Sequence, residues 1–173
     1  MKLYFLALLF FSTVAAASNL RLPFQERKVM IEEAKTYIKL NEGWSAKVYP
    51  DTKSIPSIGY GRNLRDRGIT KEEGEYLLNN DVEEAVAFCE EKFPWFRGLT
   101  LSRQIVMIDL IYNMQGSIFQ FKGFLKGMAT GDYVSAAGNL IYVDPNDRAK
   151  GYTNYYKDVG SRASKNSELL IKG

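Results

Sequence analysis

The chain has 173 residues, 46% apolar and 25% charged, which excludes a disordered polypeptide and allows one compact domain with a core of its own. Its formal net charge of +3 falls by one when Lys2 is set aside, too small an excess to indicate nucleic acid, although it permits approach to an anionic bacterial wall. With no histidine and a single cysteine, Cys89, the commonest zinc-ligand sets, an internal disulfide, and Ser-His-Asp or Cys-His catalysis are excluded, so carboxylates remain as acid and base.

Residues 1–17 differ from the rest. Lys2 gives a positive start, Leu3 to Phe11 is continuously apolar, and Ala15-Ala16-Ala17 precedes Ser18. That run is shorter than the roughly 20 residues a membrane-spanning helix needs, and small residues follow it, so the pattern predicts a cleaved signal peptide rather than an anchor. The expected mature chain is 18–173, secreted to the medium or a digestive vacuole, or to the periplasm if the source is bacterial, without stable membrane insertion. A temporary membrane tether is the alternative.

From Glu26 to Glu42 apolar residues recur as Met30, Ala34, Tyr37 and Ile38, and Gly43 follows, which predicts an amphipathic helix over 26–42 with a glycine stop. Trp44 to Leu64 alternates Val48, Tyr49, Ile55, Ile58 and Tyr60 with turn residues and predicts a small antiparallel sheet, its lobe spanning about 44–70. Thr70 followed by Glu73 is a capping-box pattern opening a long helix over about 71–92, ended by Pro94. Leu101 to Ile111 is apolar on nearly every side and reads as a buried central helix. Phe119 to Ile171, punctuated by glycines, predicts several short helices, so a helical lobe would span about 94–173 together with the first helix. The order gives an α+β fold, mostly helical, with strands gathered near its start and a cleft expected between sheet and helices.

The chemistry concentrates in Glu42-Gly-Trp-Ser-Ala-Lys-Val-Tyr-Pro-Asp51 and Ser57-Ile-Gly-Tyr-Gly61. Glycosidic cleavage needs a protonated acid at the leaving oxygen and an ionised carboxylate near the developing positive charge. Glu42, at the negative end of the helix dipole and expected to be partly buried against Trp44, suits the acid. Asp51, among turn residues beside Thr52 and backbone amides, is expected to stay ionised and to activate or orient water, which the Ser57 hydroxyl would hold.

This segment resembles the catalytic signature of the phage-type lysozymes, glycoside hydrolase family 24, in which Glu, eight residues, Asp, five residues and Thr recur. Glu42, Asp51 and Ser57 fall at that spacing. The likeness includes Glu42-Gly43, Tyr49, Asp51-Thr52 and Ile58-Gly59-Tyr60-Gly61. It continues through Ile69-Thr-Lys-Glu-Glu-Gly-Glu-Tyr-Leu-Leu-Asn-Asn-Asp-Val82, similar to the start of the family's interlobe helix, and Ile111-Tyr-Asn113-Met, so that it covers roughly residues 26 to 170. The resemblance implies a lysozyme-like, two-lobed domain joined by the long helix. It also implies Glu42 as general acid, Asp51 as partner carboxylate, and Ser57 in place of the usual threonine beside the attacking water. Inversion at the anomeric carbon, as in the family, requires about 6.5 to 9.5 Å between the carboxylates.

Gly59, Tyr60, Arg62, Asn113 and Gln115 are the substrate-binding candidates. Arg62 stands where the family usually has histidine and Pro56 where an aromatic is common, which bears on the acid's support and the cleft shape. Arg62 reads equally as a carboxylate or substrate partner and as a solvated arginine. Asn113 reads equally as a cleft residue and as a helix-ending cap, with Gln115-Gly116 lining the cleft. Arg148 and Arg162 are candidates to reach back to the acid, and Tyr152, Tyr155 and Tyr156 read as packing rather than sugar-stacking residues. The implied enzyme is a monomeric endo-N-acetylmuramidase acting on peptidoglycan glycan strands without metal or cofactor. The alternatives are a weakly catalytic peptidoglycan-binding module of the same fold and a lytic transglycosylase.

Overall fold

The computed structural model describes residues 23–173, and the predicted signal segment, 1–17, lies outside them. The chain divides into two compact units, which meet in sequence at Gly68 and Ile69. Across the described residues the fold is mostly helical, with seven α-helices and a three-stranded antiparallel sheet, as the periodicity predicts.

In the first unit α1 runs Phe24–Glu42 and stops at Gly43, whose φ of 70° favours glycine. Strands β1, Ser45–Pro50, β2, Pro56–Gly59, and β3, Arg62–Asn63, follow in sheet order β1-β2-β3. Tyr49 stands opposite Ser57, and Ser57 in turn opposite Asn63. The amphipathic helix is present, but its own unit does not cover the apolar face: no α1 residue is buried, and Tyr37 is 70% exposed. Strands of six, four and two residues offer too little surface to cover a nineteen-residue helix, which is about 28 Å long.

The second unit opens with α2, Lys71–Lys92, at the predicted ends. The Thr70 hydroxyl accepts from the Glu73 amide and the Glu73 carboxylate accepts from the Thr70 amide, at 3.2 and 2.7 Å, so two N–H groups that the first turn leaves unpaired are satisfied. After a 3₁₀ turn at Phe96–Gly98 come α3, Leu101–Met114, α4, Lys122–Thr130, α5, Tyr133–Ile141, α6, Asn154–Val159, and α7, Ser161–Lys172. Helix α5 packs on α4 and α7, while α3 packs on α2 and α7. The core holds Phe124, Met107, Leu110, Ile118, Met128, Leu140 and Leu170, all fully buried.

Helix α3 is buried on one face only, through Val106, Met107, Leu110 and Ile111, whereas Leu101 is 72% exposed. Near-continuous apolarity therefore overstates its burial, because α2 and α7 cover part of its circumference and not all of it. Cys89 is fully buried in this core, and desolvation pushes its thiol up to about 12. Tyr155 is buried, while Tyr152 stacks between Tyr142 and Tyr156 at centroid distances of 5.4 and 4.7 Å. These tyrosines pack in the core and on its rim, as expected.

Candidate active site

Glu42 is the last residue of α1 and Asp51 directly follows β1, so the two carboxylates flank that strand within the first unit. The turn after β1 wraps around Asp51. Its Oδ1 accepts from the backbone N–H of Lys53 at 2.7 Å and of Ile55 at 2.8 Å. Its own N–H donates to the Ile55 carbonyl, and its carbonyl accepts from Ser54, both at 2.9 Å. Ser54 takes the left-handed conformation, φ 58°, that closes the turn. The amide bond from Ile55, then that from Lys53 with the charges of Lys53 and Arg65, hold the Asp51 carboxyl below the usual aspartate range. The expectation of an ionised Asp51 thus has a structural basis, supplied by the amides of Lys53 and Ile55.

Glu42 is positioned differently. A Cβ placed on Gly61 would lie 2.9 Å from Glu42 Oε2, so the carboxylate rests against a backbone that only glycine leaves open, and Gly61 has φ 75° besides. Two residues earlier Gly59 lies under Trp44, whose ring carbon Cζ3 would be in ordinary van der Waals contact with an added Cβ at 3.4 Å, and it is the φ of 66° that favours glycine there. The Gly59-Tyr60-Gly61 corner therefore receives both the candidate acid and the indole beside it. A shallow cavity of about 230 Å³ is lined by Glu42, Gly43, Trp44, Ser45, Tyr49 and Gly59. The expected burial of Glu42 against Trp44 is not found. Glu42 is exposed and Trp44 is 67% exposed, because the indole lies over Gly59 and against Tyr60, at 5.1 Å between ring centroids.

Ser57 is buried, 2% exposed, and its hydroxyl donates to the Ile55 carbonyl over a long 3.4 Å. It is an inward-facing strand residue, not a surface hydroxyl. Arg62 is half-buried and its Nε donates to the Gly68 carbonyl at 2.7 Å, which ties the end of the unit to β3 and does not fit a freely solvated arginine. Gly59 and Tyr60 thus stand with Glu42, whereas Asn113 and Gln115 belong to the second unit.

There, the Asn113 side chain bonds back to the Asp109 carbonyl at 2.6 Å, and Gln115, with φ 41°, caps α3. Gln115 and Gly116 line a cavity of about 570 Å³ with Asp81, Glu84, Phe88 and Tyr112. The two late arginines are engaged within the same unit. Arg162 grips Asp109 through Nε and a close contact from its Nη2, and Asn166 bridges Asp109 and Tyr155 at 2.7 and 3.0 Å. Arg148 lies over the Tyr142 ring at 4.8 Å.

A family model described as phage lysozyme matches residues 39–154, a stretch that begins on α1 and takes in the sheet and helices α2 to α5. The chain belongs to the phage lysozyme family. No curated protein matches it. Membership implies a glycosidase of the muramidase type whose substrate is peptidoglycan, and the matched residues contain Glu42, Asp51, Ser57, Gly59, Tyr60, Arg62, Asn113 and Gln115. The contribution of Gly61, and of Trp44 as an exposed ring, escaped the sequence reading; the signal available was the Gly-x-Gly spacing, which marks close backbone approach. No helix among the described residues is long and apolar enough to cross a membrane.

Proposed function

We propose that the chain is a secreted lysozyme that hydrolyses the β-1,4 bond between N-acetylmuramic acid and N-acetylglucosamine, with inversion, as a monomer and without metal or cofactor. The observation that carries this reading is the contrast between two carboxylates in one unit. Glu42 rests exposed over Gly61 at a helix C-terminus, and Asp51 is held ionised by the Ile55 and Lys53 amides. Glu42 delivers a proton to the leaving oxygen, while Asp51 steadies the oxocarbenium-like charge and directs water to the opposite face of the sugar. Ser57 beside that water, and Gly59, Tyr60, Arg62, Asn113 and Gln115 toward substrate, rest on family spacing. Secretion rests on the pattern of residues 1–17, with a mature chain beginning at Ser18, and leads to a bacteriolytic role in defence or in digestion of bacteria.

The test is turnover of purified peptidoglycan by the wild-type chain, Glu42→Gln and Asp51→Asn, each shown to be folded by circular dichroism. Glu42→Gln is expected to lose at least about 100-fold, the lower range for removing a general acid. Undiminished hydrolysis by that variant would overturn the mechanism. New reducing ends on the products support hydrolysis, whereas 1,6-anhydro ends would replace it with transglycosylation.

A further inference from the structure

Two turns at one end of the sheet, residues 51–55 and 63–68, are brought side by side by β2. Leu64 donates its N–H to the Pro56 carbonyl at 2.8 Å, which carries the pairing of β2 and β3 one residue further and sets Arg65 beside the Asp51 turn. From there Arg65 Nη2 donates to the Ser54 carbonyl at 3.2 Å, across eleven residues of chain. That carbonyl is one end of a single peptide group. Its other end is the Ile55 N–H, which donates to Asp51 Oδ1 at 2.8 Å. A trans peptide is rigid and planar, with C=O and N–H pointing in opposite directions, so fixing the Ser54 oxygen fixes the direction of the Ile55 N–H. A bond accepted at the oxygen also polarises the group and makes the N–H a stronger donor. Ser54 itself holds φ 58°, a conformation that a residue with a side chain resists and that a second tie helps to keep. Oδ1 takes both turn amides, from Lys53 and from Ile55, so Oδ2 is the Asp51 oxygen that can receive a water.

We propose that Arg65 is a positioning residue for the reaction: through the Ser54–Ile55 peptide it keeps the Ile55 N–H on Asp51 Oδ1 and so keeps the carboxylate aimed. The proposal rests on the muramidase reading above, and it adds a residue that acts on the carboxylate from another turn, within the same unit. Arg65 also brings positive charge toward Asp51, as Lys53 does from the turn itself, and both charges favour the ionised carboxyl. Charge and positioning are separable, because charge acts without moving the peptide. Arg65 is exposed, so its replacement leaves the fold intact.

The test compares the full chain with Arg65→Met, which removes donor and charge, and Arg65→Lys, which keeps both. NMR follows exchange of the Ile55 amide proton and titration of the Asp51 carboxyl carbon, and kcat and KM on purified peptidoglycan are measured across pH. In Arg65→Met the Ile55 proton is expected to exchange about fivefold faster, the size of one net hydrogen bond. Asp51 then titrates at higher pH than in wild type, and the acid limb of kcat/KM moves up with it. On the plateau above that limb kcat falls about tenfold while KM is unchanged, as expected for a misaimed group. Arg65→Lys recovers most of both losses. Arg67→Met, in the same turn but with a side chain that makes no bond among the described residues, matches wild type throughout. Wild-type exchange and wild-type kcat in Arg65→Met would overturn the proposal. So would an acid limb that moves while the plateau kcat stays, the mark of charge without positioning. Exchange and titration need no turnover. If both change as expected while the wild-type chain cuts no peptidoglycan, the hydrolase reading fails and the hold on Asp51 stands. If wild type cuts peptidoglycan and Arg65→Met cuts it equally well, this proposal fails alone.

Discussion

Every apolar side chain buried among the described residues falls between Ala85 and Leu170, in the second unit, whereas over residues 23–68 the single buried residue is a serine, Ser57. The second unit is held by close-packed apolar contact, where each side chain is surrounded and its removal leaves a void. The first is held by directed backbone geometry: the amides of Lys53 and Ile55 on Asp51, the Arg62 bond to the Gly68 carbonyl, left-handed glycines at 59 and 61, and the room that Gly61 leaves for Glu42. Both carboxylates of the candidate site stand in the unit without an apolar core. Exposed polar groups placed by turns can meet a solvated glycan.

The contrast is most easily broken by truncating side chains on each side of it. Phe124→Ala, in the fully buried core, is expected to lower the unfolding free energy by about 3–5 kcal/mol. Val48→Ala, 57% exposed on β1, should change it by less than about 0.5 kcal/mol. Urea unfolding followed by tryptophan fluorescence measures both. A comparable loss for Val48→Ala would show that apolar contact supports the sheet unit after all.

Glycines sharpen the same difference. A Cβ on Gly127 would meet the Asp132 carbonyl at 2.7 Å and the Ala136 amide at 2.8 Å, both of them backbone where α4 and α5 pack, so Gly127→Ala should cost about 1–3 kcal/mol as overpacking. At Gly61 the obstruction is a flexible carboxylate, Glu42 Oε2. Gly61→Ala should cost about 1–2 kcal/mol through its positive φ and, by displacing Glu42, lower kcat on peptidoglycan about tenfold or more. Normal kcat in a folded Gly61→Ala chain would remove the corner from the account of the site.

The smallest effect is electrostatic. The Asp51 carboxyl is held low chiefly by the Ile55 amide, so its stabilising contribution is complete above the ordinary aspartate value of about 3.9 and is lost as pH falls through its lower folded value. Wild type should therefore exceed Asp51→Asn in stability at pH 6 and converge on it as pH falls below about 4, measured by thermal melts. A constant gap across that range would mean that the turn does not prefer the ionised form.

Local chemistry explains what the amino-acid order determined by itself. The bounds of α2 follow from Thr70, Glu73 and Pro94, and the Asp51 turn follows from a carboxylate that reaches amides two and four residues ahead. Contacts of that range close within one turn of chain, so residue type and spacing suffice to state them, whereas Glu42, Asp51 and Ser57 stood out through their resemblance to the phage-type lysozyme spacing. Tertiary structure alone decided the rest: that Arg162 pairs with Asp109 fifty-three residues away, that Gly61 lies beneath Glu42, that the small sheet leaves the apolar face of α1 unburied, and that Trp44 is exposed. Each depends on how separate elements approach in space, and hydrophobic periodicity records which residues can be buried without recording what will cover them.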